Sequence, residues 1–116
     1  MVNQHFPPEP YSQLADIILE LEAALRACAL WEPAPPPPEA LMSCEPFCID
    51  TLRFSQWLQF VFITRIKLII ETQAPLPEQS GIVPIAEESF RQVSFNPNRI
   101  ISVLARFDML IETGKY

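Results

Sequence analysis

Residues 54–73 leave a chain of this size few ways to fold. Phe54, Trp57, Leu58, Phe60, Val61, Phe62, Ile63, Ile66, Ile69 and Ile70 cover nearly every side of a helical wheel. A helix that is apolar all round belongs inside a bundle rather than on its surface. Arg65 falls near its middle, on the predicted face shared by Leu58, Val61, Phe62, Ile66 and Ile69. A guanidinium among apolar neighbours needs carboxylates or carbonyls. Arg65 is therefore expected to form an internal ion pair with Asp50 or Asp108, or to meet an external anionic group. The apolar run 57–70 is shorter than the ~20 residues that span a bilayer, and it contains Arg65 and Lys67.

The rest of the chain supplies partners for that helix. Leu14, Ile18, Leu21, Leu25 and Cys28 recur at spacings of four and three, which predicts a first helix from Pro8 or Pro10 to Leu30 with one apolar stripe. Pro7, Pro8 and Pro10 suit its start. The run 33–38 favours extended polyproline geometry and reads as a stiff strap, with one helical turn expected over Glu39 to Ser43. The central helix starts at Arg53 or Phe54 and is stopped by Ala74-Pro75-Leu76-Pro77. A short third helix runs from Ile82 or Val83 to Arg91. In the fourth, Asn96 is the predicted N-cap, Pro97 the first helical residue and Gly114 the left-handed stop. Ile100, Ile101, Leu104, Phe107, Asp108 and Ile111 form its inward face. With two glycines and no hairpin dipeptide, the expectation is an all-α four-helix bundle with a long Pro-rich connection between helices 1 and 2. One domain spans 10–114, including the strap at 33–46, between short tails at 1–9 and 115–116.

Standard catalytic sets are missing. The only histidine, His5, lies in the N-terminal tail, so neither a Cys–His pair nor a Ser-His-Asp set can be assembled around the core. Cys44 and Cys48 have a Cys-x3-Cys spacing, but zinc sites take four ligands and the chain's Cys and His residues are badly distributed for one. Two isolated glycines cannot build a phosphate loop. No cofactor, no metal and no enzymatic activity are expected. The net charge of −6 argues against direct nucleic-acid binding and against docking on an anionic membrane. A polar, Pro-rich start without a signal-peptide pattern, and three cysteines, suit a cytoplasmic protein. Charge is uneven: residues 9–32 carry five acids against Arg26, whereas 53–73 carry Arg53, Arg65 and Lys67 against Glu71. That asymmetry offers an acidic face to a basic partner.

Glu45-Pro46-Phe47, Asp50-Thr51-Leu52, Trp57-Leu58-Gln59 with Phe60 and Phe62, Ile63-x-Arg65 and Pro75-Leu76-Pro77 resemble the bacterial YqcC-like family, as does Leu30-Trp31. The likeness extends from about Tyr11 to Ile111. It implies a compact helical bundle of uncharacterised function, often encoded beside a tRNA pseudouridine synthase, and it transfers no catalytic residue. Many relatives have proline where Thr64 stands, which implies a straighter central helix here. The expected role is a non-enzymatic module that binds a protein, with an RNA-modifying enzyme as the partner the resemblance implies. The alternative is a small-molecule protein that holds an anionic ligand near Arg65 and Trp57. Trp57, Arg65, Asp50, Gln59 and Phe62 are the binding candidates. Phe54 and Phe60 offer apolar surface for a dimer, and the sequence leaves the oligomeric state open.

Overall fold

The computed structural model describes residues 9–113. His5, Pro7, Pro8 and Gly114 lie outside them. Four helices follow one another: α1 Tyr11–Ala27, α2 over 54–72, α3 Ile82–Ser89 and α4 Asn98–Thr113. No strand occurs among the described residues. The chain is all-α, as its periodicity requires.

The apolar stripes dictate the packing. Leu14, Ile17, Ile18, Leu21, Ala24 and Leu25 of α1 are buried. Ile100, Val103, Leu104, Phe107, Leu110 and Ile111 of α4 face them. Glu20 Oε2 pairs with Arg106 Nη2 at 2.9 Å, and the Cys28 thiol lies 3.6 Å from the Asn96 carbonyl. These two points show that α1 and α4 run antiparallel. α1 also packs on the C-terminal part of α2, and α3 packs on α4. Burying a leucine such as Leu21 or Leu104 completely stabilises the fold by about 1.5–3 kcal/mol relative to leaving it in water.

α2 departs from the expected geometry. Phe54–Trp57 and Ile63–Thr72 are α-helical, but Leu58–Phe62 forms a π-type turn in which the Ile63 amide bonds the Leu58 carbonyl, five residues back. The extra residue rotates the downstream helix by roughly 100°. Ile66 thereby takes the inward place that Arg65 would hold in an unbroken helix, while Phe62 stays buried and Ile69 and Ile70 are both half-buried. Ile63 and Ile66 are buried and Arg65 is exposed. The internal ion pair expected of Arg65 with Asp50 or Asp108 does not form for this reason. Thr64 in place of proline does not make α2 regular either, because the irregularity lies in the preceding turn.

The cap of α4 comes one residue later than expected. The Ile101 amide bonds the Pro97 carbonyl, and Asn96 Oδ1 accepts the Asn98 amide at 2.9 Å. α1 and α2 end on residues in the left-handed region, Ala29 (φ 58) and Gln73 (φ 51). The Leu30 amide reaches back to the Leu25 carbonyl, and the Ala74 amide to the Ile69 carbonyl, as in a Schellman stop. The Tyr11 hydroxyl, 2.9 and 2.8 Å from the Gln73 and Ala74 carbonyls, ties the start of α1 to the end of α2.

Candidate functional site

The strap is fastened to the core by a glutamine. Gln59 is buried in the π turn of α2. Its Oε1 accepts the Glu32 amide and its Nε2 donates to the Glu32 carbonyl, both at 2.9 Å. One side chain thus satisfies both backbone groups of a residue that no helix serves. The Glu32 carboxylate pairs with Arg53 Nη2 at 2.8 Å and accepts from Gln56 Nε2 at 3.3 Å. Gln56 Oε1 in turn accepts the Arg53 amide at 2.8 Å, the half of a capping box that starts α2. From this junction the strap passes through 3₁₀ turns at Pro38–Met42 and Pro46–Cys48. Thr51 Oγ1 donates to the Ala40 carbonyl at 2.6 Å, and the Ser43 hydroxyl donates to Asp50.

The second turn delivers Phe47 to an aromatic array. Phe47 packs edge-on to Trp57 at 4.8 Å and tilts against Phe54 at 6.3 Å. Phe54 stacks on Trp57 at 5.8 Å and meets Phe90 at 5.6 Å, and Phe90 meets Phe95 at 5.6 Å. Trp57 and Phe62 carry the array inward to Phe107. Its outer end opens as a groove of about 330 Å³ whose walls include Phe47, Ile49, Phe54, Ile85, Phe90 and Phe95. Ile49 keeps 69% of its surface in water although it lines this groove. Phe47 (φ 59) and Cys48 (φ 49) are consecutive residues in the left-handed region. For residues with a Cβ this costs roughly 1–2 kcal/mol each.

The five sequence candidates do not converge on one pocket. Trp57 and Phe62 are core residues, and Gln59 is the strap's fastener. Asp50 is exposed and bonded to Ser43. Arg65 is exposed and has no ion pair among the described residues. A cleft lined jointly by Trp57, Phe62 and Arg65 is therefore not formed, because the π turn sends Arg65 outward.

Asp108 does not await a cation either. It is buried and accepts the Ser80 hydroxyl, the Ile82 amide at 3.1 Å and the Val83 amide at 2.9 Å. It thereby caps the N-terminus of α3 from across the fold. No group of His, Cys, Asp or Glu among the described residues is placed to hold a metal ion.

Sequence reasoning did not assemble the groove. Phe47 stands in Glu45-Pro46-Phe47, and Phe90 within the predicted third helix, but their convergence on one groove depends on two left-handed residues that no motif announces. The available signal was the density of aromatics at 47, 54, 57, 90 and 95, where helices are short.

A family model described as tRNA pseudouridine synthase C matches residues 13–110. An uncharacterized protein of Haemophilus influenzae is 38% identical over 63% of this chain and 69% of its own length. A Pectobacterium carotovorum protein named tRNA pseudouridine synthase C is 30% identical over 79% of this chain, which spans only 24% of that protein. The uncharacterized protein YqcC of Escherichia coli is 33% identical over 78% of this chain and 83% of its own. The solution NMR structure of YqcC has a TM-score of 0.73 at 29% identity, covering 87% of this chain and 86% of that one. With a family model spanning most of its residues and YqcC matching it in both sequence and fold, the chain belongs to the YqcC-like family.

Proposed function

We propose that this chain is a protein-binding accessory module that works beside a tRNA pseudouridine synthase and contributes no catalytic group of its own. One observation carries the reading. The Pectobacterium protein named tRNA pseudouridine synthase C contains a stretch like this chain within 24% of its length. About three quarters of that protein lies outside the match. A module that makes up 83% of YqcC and 24% of a longer protein is a natural companion of that protein's remainder, since joining the two raises their effective concentration without new contacts.

The chemistry of this chain agrees with a supporting role. Its polar side chains at the strap and at α3 are used to hold the fold together, as Gln59 and Asp108 illustrate. A net charge of −6 disfavours an independent grip on tRNA. The setting proposed is cytoplasmic, and no helix among the described residues is long and apolar enough to cross a membrane.

The test is direct calorimetry between the purified chain and the purified pseudouridine synthase of the same host. Binding with a Kd of about 10 µM or tighter, worth roughly 7 kcal/mol, is expected. No heat of binding, and no change in the synthase's rate or melting temperature when the chain is added in excess, would refute the reading.

A further inference from the structure

We infer that the aromatic groove is a docking site for a basic amphipathic helix of a protein partner. The inference rests on the protein-binding reading above and adds where the contact is made and what chemistry meets it. The groove is an apolar recess walled by Phe47, Phe54, Phe90 and Phe95, with Ile49 standing exposed beside it. Aromatic recesses of this kind are where interface energy concentrates, because a buried anchor there is fully desolvated. Phe47, the first of the strained pair Phe47 and Cys48, contributes to one wall. Strain in a folded chain persists only where surrounding contacts hold it, and it gathers at sites that bind.

The shape of the fold selects the occupant. Among the described residues there is no strand, so an extended peptide has no sheet edge to join. Polyproline ligands need aromatic grooves with outward hydrogen-bond donors. Here Trp57 is buried, and Arg53 is already paired with Glu32. A helix presenting apolar residues one turn apart needs only the apolar recess.

Charge selects the sequence of that helix. Residues 39–52, the end of the strap and the segment that follows it, contribute Phe47, Ile49 and Leu52 to the groove and contain Glu39, Glu45 and Asp50 without a lysine or arginine. α3, which contributes Ile85 and Ser89, has Glu87 and Glu88 as its only charges. Glu88 is paired with Arg91. Glu39, Glu45 and Glu87 are exposed and have no ion pair among the described residues. The groove's one charged lining residue, Arg53, is paired with Glu32, so the unpaired charges on the segments that supply its walls are acidic, and the complementary helix carries lysine or arginine beside its apolar stripe. A protein that grips tRNA bears such residues on its surface in order to neutralise phosphates.

The experiment has two arms on the full chain. In the first, Ile49→Lys and the pair Glu45→Lys with Asp50→Lys are titrated against the host synthase. Both variants alter exposed side chains, and circular dichroism verifies their fold. Ile49→Lys is expected to weaken binding about tenfold or more, as a lost interface anchor does. The charge-reversed pair is expected to weaken it several-fold at low salt and less at high salt.

In the second arm, a helical peptide of about 18 residues with leucine on one face and lysine elsewhere is followed by amide chemical shifts, with a glutamate version as control. Shifts at Phe47, Ile49, Phe90, Val93 and Phe95 with the lysine peptide only are expected. If the synthase binds all variants equally, the groove is not the docking site and the accessory role survives. If the synthase does not bind but the lysine peptide fills the groove, the accessory role falls and the docking site stands. If neither binds, both fall. If Ile49→Lys converts a dimer to a monomer, the occupant is a second copy of the chain and the inference is overturned.

Discussion

The seam between α1 and α4 and the wall built from the strap bury apolar side chains by opposite means. At the seam, every buried residue from Leu14 to Leu25 and from Ile100 to Ile111 follows helical spacing, and backbone groups bond within their own helices. At the wall, Phe47 and Cys48 take up left-handed geometry, Gln59 stands in for missing backbone partners, and Ile49 is left in water. The first region is stable because its local preferences agree with its packing. The second contains local conflicts held in place by distant contacts. The two regions thus differ in how their burial is achieved, and substitutions should separate them.

The largest expected effect breaks the seam. Leu104 is fully buried, so Leu104→Ala should lower stability by about 3–5 kcal/mol in chemical denaturation, through lost transfer energy and the cavity left behind. Ile49→Ala at the wall should change stability by less than about 0.5 kcal/mol. Near-equal values for the two would erase the distinction between the regions. Asp108 comes next. Asp108→Ala leaves the Ser80 hydroxyl and the Ile82 and Val83 amides without their acceptor, which should cost about 3 kcal/mol. Hydrogen exchange should show α3 opening before α1. Simultaneous opening would mean that α3 is not anchored mainly through Asp108.

A smaller effect tests how the wall is fastened. Gln59→Leu keeps an apolar stem but removes both bonds to Glu32. A loss of about 1–2 kcal/mol is expected, with faster amide exchange at Glu32 and through the strap and little change in α4. If exchange in the strap is unchanged, the Arg53–Glu32 pair suffices to hold it.

The regions also differ in how legible they are from sequence. Leu14, Ile18, Leu21 and Leu25 place α1, and Ile100, Leu104, Phe107 and Ile111 place α4, because spacing of three and four has one physical meaning. Asp108 was readable as an inward acid, but its partner was not. Its acceptors are filled by Ser80, Ile82 and Val83, and only the folded path of the chain brings these near. Arg65 was misplaced because periodicity assumes an unbroken helix. A π turn changes the face of everything after it and leaves no composition mark. Gln59 had the right location in the signature, while its role depended on Glu32, 27 residues away. The groove was the least legible part, since Phe47 reaches it through dihedral angles that sequence patterns favour only for glycine.

Those angles supply the finest test, because the same conformation occurs in both regions for different reasons. Ala29 ends α1 at φ 58 and Phe47 lies in the wall at φ 59. At Ala29 the methyl group is exposed, so the left-handed geometry serves only the Schellman stop. Ala29→Gly removes the Cβ penalty and returns part of the gain as greater freedom of the unfolded chain. A net stabilisation of about 0.5–1 kcal/mol is expected. At Phe47 the same relief is available, but Phe47→Gly also removes a half-buried ring that meets Trp57 at 4.8 Å. Ring loss outweighs relief there, and a net destabilisation of about 1–2 kcal/mol is expected. Opposite signs at two positions of equal φ would show that the wall's strain is held in place by its aromatic contacts. A gain at both would mean that Phe47 is strained without compensation, and the groove would lose the packing argument for its shape.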